Sequence, residues 1–335
     1  MNIDISVIVC HHKGFFIDKF VESCLKQENV SFEIIVVTSD IDLASRGMKG
    51  CIVINGPQYP ASKRNMGARI AKGKYLAFFD DDVEIRPDCL KEFKDCLDTQ
   101  LPCGMVYGKL LKMDEPTRFD EAGGFLTWTG FIWSRAEQNE IDRGQYDSTE
   151  CILAGKSASC MIRADLFKKV GGFDEDFGIL GEETDLSWRV WLSGNLVFFL
   201  PYAVGLHAFN TRFKPAKDYY TSERVHFRGC CNYVTLLLKN LEARNLWRIL
   251  PIHLLAWFTA GCVMICTLKL KQGANVLKGL VYVLSNIGKI WKKSREVQSS
   301  RVISDRKLFS YIYKNPSIGY YIQRFLRYIT IGLHG

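Results

Sequence analysis

The chain has 335 residues, enough for one large domain with an appendage or for two domains, and its 47% hydrophobic content suits a globular protein with a full core. The net charge of +8 is moderate but unevenly placed: from Lys239 onward there are 16 Lys and Arg against 3 Asp and Glu, so the first 238 residues carry 28 against 33, or −5. An acidic front half joined to a basic, apolar back half points to a catalytic domain attached to an anionic surface, either lipid headgroups or nucleic acid. The 12 cysteines contain no CxxC pair, which speaks against a zinc site and a disulfide framework and for free thiols in a reducing compartment. Cys10, Cys51 and Cys160 sit in apolar runs, and Cys262 and Cys266 in a hydrophobic helix. The opening MNIDISVIVC has no basic region and enters a strand directly, so no secretory signal is expected.

Residues 5–10 read as a buried strand, 15–27 as a helix and 33–37 as a second strand, which implies a parallel sheet. Residues 51–55 form a third strand, 62–71 a helix, and 75–79 a strand that runs into Asp80-Asp81-Asp82. A helix over 86–98 follows, with Pro87 suited to its first turn. Strands are expected at 105–111 and 151–162, a short helix at 164–170 closed by Gly171-Gly172, and a last strand at 196–200 ending at Pro201 and leading to His207.

At about Phe213 the composition changes to helical, basic and apolar. Residues 249–268 carry no formal charge over a length that could span a bilayer, although Pro251 and His253 interrupt them. A second apolar stretch, 274–291, contains Lys278. Both stretches have Lys or Arg on each side, which a single crossing handles poorly. An interfacial helix or shallow hairpin is the better expectation, with a buried helix of a soluble subdomain as the alternative.

Two acidic clusters carry the chemistry. The first is an apolar run that stops in three carboxylates, Asp80 to Asp82. A buried strand ending this way puts hard oxygen ligands at a sheet edge, where open α/β sheets bind ligands. Such oxygens suit Mg²⁺ or Mn²⁺, and those ions suit a diphosphate. The second cluster, Glu182, Glu183 and Asp185, lies just ahead of a helical pattern. Taken singly, either cluster could be a helix-capping acidic loop.

Five segments in order carry a resemblance: ISVIVCHHKG, SKRNMGARIAKGKYLAFFDDD, SASCMIRADLFKKVGGFDEDFG, GEETDLSWRVWLSG and LPYAVGLHAFN. Over roughly residues 3–210 the chain resembles the family 2 glycosyltransferases with a GT-A fold, and within them the rhamnosyltransferase-like branch. The resemblance implies an α/β, Rossmann-like, mostly parallel sheet flanked by helices over 1–212. It leaves 213–335 as a helical, membrane-associating region. It further implies an inverting, metal-dependent transfer of a single sugar from a nucleoside diphosphate sugar to a glycan or lipid-linked acceptor in polysaccharide biosynthesis. Peripheral or monotopic attachment to the cytoplasmic face of a membrane would fit such an enzyme.

By that resemblance the metal would be Mg²⁺ or Mn²⁺. Asp82 would hold it, His207 would be a metal or phosphate ligand, and Asp80 and Asp81 would lie on the donor, Asp80 at the ribose. Glu183 matches the position of the general base, where relatives usually carry Asp. His12 could stack on the nucleotide base, Ser39 or Asp40 could accept from its ring N–H, and Arg64, beside Lys63 and Asn65, could pair with phosphate or form a surface ion pair. Asp174, Glu182 and Asp185 would face the acceptor, with Glu182 and Asp185 also suited to capping. Trp188 and Arg189 are expected to pack and pair, and Trp128, Phe131 and Trp133 to pack or to stack on a sugar. The Gln-x-x-Arg-Trp signature of processive synthases is absent. An inactive GT-A domain serving as a nucleotide-sugar or glycan-binding scaffold is the alternative. A nucleic-acid-binding reading lacks a motif.

Overall fold

In a computed structural model that describes residues 3–12, 16–137, 139–208 and 223–330, the chain divides into two compact units. The first takes its described residues from 1–124, 134–178 and 182–215, the second from 125–133, 179–181 and 216–335. The boundary expected between 212 and 213 falls outside the described residues, as do Lys13 of the opening turn and Phe15. The placing of 125–133 and 179–181 with the C-terminal unit has no counterpart in the linear composition.

The first unit opens with β1 (Ile5–His11), α1 (Phe16–Leu25), β2 (Phe32–Thr38), α2 (Ile41–Arg46), β3 (Ile52–Asn55), α3 (Pro60–Ile70) and β4 (Tyr75–Asp80). Strands β3, β2, β1 and β4 lie side by side and parallel. Every residue of β1 is buried, which is why it reads as a continuous apolar run rather than an alternating one. Gly67 lets α3 lie close on that strand: a Cβ there would sit 2.5 Å from Ile8 Cγ2. Phe79 of β4 is buried between Phe20 of α1, at 5.5 Å between ring centroids, and Phe93, at 6.4 Å. Burying one such ring stabilises the fold by about 1.5–3 kcal/mol.

Next come β5 (Val83–Ile85), α4 (Cys89–Thr99), β6 (Cys103–Lys112), β7 (Phe119–Glu121), β8 (Gly124–Leu126), β9 (Ile132–Ser134) and β10 (Glu150–Cys151). Then follow β11 (Ser159–Arg163), α5 (Ala164–Lys169), α6 (Glu182–Leu192) and β12 (Leu196–His207). The sheet order is β10-β12-β6-β11-β4-β1-β2-β3, with β5 on β12 and β7 on β6. Strand β11 runs antiparallel between β4 and β6, while β6 and β12 are parallel.

Three elements differ from expectation. The strand expected over 151–162 is two strands, because 150–151 pair with β12 while 159–163 lie between β4 and β6. Pro87 precedes α4, which starts at Cys89 after the N-cap Asp88. The last strand does not stop at Pro201. Its register on β6 jumps from Leu200↔Gly108 to Val204↔Lys109, a bulge that accommodates the proline, and it then continues to His207.

The second unit contains α7 (Gly229–Asn240), α8 (Ala243–Cys266), α9 (Leu270–Ser285), α10 (Ile287–Ser299), α11 (Asp305–Ile312) and α12 (Ile318–Thr330). Helix α8 begins ahead of the uncharged stretch and runs through Pro251. It is long and apolar enough to cross a membrane by length and composition, and a third of its most apolar window is buried. The apolar stretch at 274–291 is split between α9 and α10 at Asn286. The buried Asp305 carboxylate accepts from Glu242 N–H at 2.8 Å and from Asn245 Nδ2 at 2.9 Å, which fixes the start of α8.

Candidate active site

Strand β4 delivers Asp80 to the C-terminal edge of the parallel strands, in register with Cys10. Two residues on, Asp82 turns inward and is buried. The antiparallel pairing of β5 with β12 sets His207 opposite Val83, and Ala208 N–H donates to the Asp82 carbonyl at 2.9 Å. A histidine 125 positions away in sequence is thereby brought to the acidic triplet. One ligand atom from each of Asp80, Asp82 and His207 lies within 4.8 Å of the others.

His207 is oriented from behind. Its Nδ1 lies 2.8 Å from Asp120 Oδ2, and its Nε2 lies 3.4 Å from Asp82 Oδ1. With Nδ1–H donating to Asp120, Nε2 is directed to the Asp80–Asp82 side. Lys156 Nζ donates to the same Asp120 oxygen at 2.8 Å. Burial alone would lower the His207 pKa, but the Asp82 and Asp120 carboxylates outweigh it and raise it to about 9. Burial would raise the Asp120 carboxyl, and Lys156 with His207 instead holds it well below the usual range. Two carboxylates and one imidazole nitrogen, with excess negative charge behind them, fit a divalent ion of the Mg²⁺ or Mn²⁺ type.

Helix α6 opens on Glu182 and Glu183. Glu182 is buried, and its Oε1 accepts from Arg64 Nη1 at 3.0 Å. Arg64 Nη2 donates to Asp80 Oδ1 at 2.9 Å, so one guanidinium joins the two acidic clusters. The half-buried Glu183 has its carboxyl pushed well above the usual range, first by loss of water and next by the neighbouring Glu182.

Several expected roles are corrected here. Asp185 is fully buried and bound to Arg189, with Nε at 2.9 Å and Nη2 at 2.8 Å from Oδ2, so it does not face an acceptor. Glu182 is likewise turned inward, toward Arg64. Arg64 is no surface residue: it is 2% exposed, and the Asp80 and Glu182 carboxylates hold its guanidinium. Asp40 is the N-cap of α2; its Oδ1 accepts from Asp42 N–H at 3.0 Å and Leu43 N–H at 3.3 Å, which commits that oxygen to the backbone.

The remaining expected residues fall as follows. His12 is exposed, with Nδ1 2.9 Å from Ser39 Oγ. Ser39 Oγ also accepts from Lys63 Nζ at 3.2 Å, and Lys63 is buried and donates to the His11 carbonyl. Asp81 Oδ2 lies 3.8 Å from His11 Nε2. Asp174 caps the short 3-10 turn Glu175–Phe177, after two glycines with φ of +84° and +67°. Asn65 holds this segment to α3 by bonding both the N–H and the carbonyl of Phe173 at 2.9 Å. Trp128, Phe131 and Trp133 belong to the second unit, where Phe131 and Trp133 pack on other rings and Trp128 is 41% exposed. Asp120 and Lys156 were not expected. Nothing in the spacing of Thr117–Gly124 marks Asp120, and only strand pairing brings it to His207.

Residues 6–160 match the family model described as "Glycosyl transferase family 2". The O-antigen biosynthesis protein RfbC of Myxococcus xanthus is 32% identical over 143 residues, 41% of this chain and 11% of that protein. Polypeptide N-acetylgalactosaminyltransferase 14 of Homo sapiens is 27% identical over 172 residues, 48% of this chain and 31% of that one. The chain therefore spans a third or less of the length of these curated relatives. Among solved structures, GalNAc-T7 with UDP, GalNAc and Mn²⁺ superposes with a TM-score of 0.57 at 14% identity, covering 85% of this chain and 57% of that one. That likeness is one of fold. With the mixed, mostly parallel sheet, these matches make residues 6–160 similar to glycosyl transferase family 2 and give the chain the GT-A fold.

Proposed function

We propose that this protein transfers a single sugar, with inversion, from a nucleoside diphosphate sugar to a glycan or lipid-linked acceptor at the cytoplasmic face of a membrane. The observation that carries this reading is the convergence of Asp80, Asp82 and His207 at one sheet edge, with Arg64 linking Asp80 to the helix that presents Glu183. Asp82 and His207 would hold Mg²⁺ or Mn²⁺. The chemistry such an ion supplies is neutralisation of the charge that grows on the departing diphosphate.

The protein's own groups do the rest. Glu183 accepts the proton of the acceptor hydroxyl as that oxygen bonds to the anomeric carbon. The bond from that carbon to the diphosphate oxygen breaks, and its electron pair leaves with the nucleoside diphosphate. A carboxyl raised above the ordinary glutamate range is a stronger base once ionised, as proton removal from a hydroxyl requires. His12 stacks on the nucleotide base and Ser39 reads its edge. Asp80 and Asp81 border the donor, and Asp174 faces the acceptor beside its glycine turn. The relatedness to an O-antigen biosynthesis protein supports a polysaccharide setting, and helix α8 with the basic tail supports attachment to a membrane.

Glu183→Gln tests the assignment. With labelled donor and a lipid-extract acceptor, transfer should fall by at least ~100-fold, while calorimetry shows donor binding intact. A variant that keeps more than about a tenth of the wild-type rate would contradict the role of Glu183.

A further inference from the structure

The outer face of α8 is apolar and open to solvent. Trp247, Leu255 and Phe258 are 81%, 64% and 54% exposed, and they fall in one row along the helix. Helix α12 repeats the pattern with Ile318, Ile322 and Leu326, four residues apart and 76%, 56% and 56% exposed. Apolar surface of this extent marks an interaction site. Its partner can be read from the charge. Helices α8, α9 and α12 contain no Asp or Glu and carry six cations: Arg244, Arg248, Lys271, Lys278, Arg324 and Arg327. A second copy of this chain would bring like charge against like. An anionic lipid surface matches both the apolar rows and the cations.

The inner face of α8 decides how the helix meets lipid. His253 is fully buried, its Nδ1 2.9 Å from the Thr129 carbonyl, and its Nε2 accepts from Trp257 Nε1 at 2.9 Å. Phe131 stacks on the same imidazole at 4.1 Å. Non-helical backbone from 125–133 is therefore packed against the middle of α8. Carried to the centre of a bilayer, that backbone would bring polar groups into hydrocarbon.

We propose that α8 and α12 dock the second unit in the plane of an anionic lipid monolayer, with their outer rows in the acyl boundary and their cations on headgroup phosphates, and that α8 does not cross the bilayer. The proposal rests on the membrane attachment put forward above and specifies its surface and depth. Flotation of the full chain with phosphatidylcholine vesicles, with and without phosphatidylglycerol, tests it. Wild type should float with the anionic vesicles only, less so at high salt, and be released by alkaline carbonate. The triple variants Trp247→Ser/Leu255→Ser/Phe258→Ser and Ile318→Ser/Ile322→Ser/Leu326→Ser should each lower partitioning at least tenfold, with unchanged melting temperature and unchanged nucleotide release from donor. Retention after carbonate overturns the in-plane placement, as does either triple variant floating like wild type. No flotation of wild type overturns membrane attachment itself, and a dimer lost in the variants without any vesicle binding assigns the face to self-association instead.

Discussion

At Glu183 and His207 single side chains have been moved out of their ordinary titration ranges, and each shift has a consequence that can be measured. Glu183 binds its proton more tightly in the fold than in the unfolded chain, because burial and Glu182 both disfavour its charge. Its contribution to stability is therefore full below the ordinary glutamate value and is lost as pH rises through the raised folded value. Transfer, which needs the ionised form, should rise over that same interval, so the acid limb of the rate profile lies above the ordinary glutamate value of 4.5. In chelator, Glu183→Gln should melt higher than wild type at neutral pH while being inactive. A lower melting temperature would contradict the placement of a repelled carboxylate there. At His207 the proton must leave before a cation binds, so Mn²⁺ affinity should strengthen as pH rises toward about 9. Asp120→Asn removes the group that orients the ring and should weaken Mn²⁺ binding by about 10- to 100-fold, read by electron paramagnetic resonance without donor. Unchanged affinity would show that Asp120 only packs. The acidic triplet stands out in the sequence because an apolar strand runs straight into it, whereas His207 was expected only by resemblance, beyond a strand expected to stop at Pro201. Asp120 was not, since its role depends on β7 and β12 both pairing with β6.

At the level of elements, Arg64 ties three of them together. It stands on α3, and its guanidinium reaches Asp80 at the end of β4 and Glu182 at the start of α6. Arg64→Met leaves two carboxylates facing each other without their cation and should destabilise the first unit by about 3–5 kcal/mol, measured by urea unfolding. A change within about 0.5 kcal/mol would mean that water and bound cations already screen the pair. The parallel strands were readable because burial on both faces makes them continuous apolar runs, as in Ile5–His11. Strand β12 was cut short on paper because proline usually ends a strand; the bulge at Leu200–Val204 hides the continuation that carries His207 to the site. The reading of Asp185 as acceptor-facing failed for a similar reason. Only the helical spacing of α6 turns it inward onto Arg189 four residues later.

For the molecule as a whole, composition divides an acidic front half from a basic, apolar back half. The first unit does gather every residue of the candidate site, while 125–133 and 179–181 group with the C-terminal unit. No periodicity in those short segments could have announced this, because their partners are distant in sequence: His253 lies 124 residues from Thr129, and Asn232 lies 53 from Ile179. The central claim is that the Asp80–Asp82–His207 edge binds a cation that activates a nucleoside diphosphate sugar. Its most direct test is nucleoside diphosphate release from a panel of UDP-, dTDP- and GDP-sugars, with Mn²⁺, with Mg²⁺ and with chelator, for wild type and Asp82→Asn. The account predicts release from one donor that needs the cation and is lost in the variant. Release that survives both chelator and Asp82→Asn, or neither release nor donor binding under any condition, would contradict it.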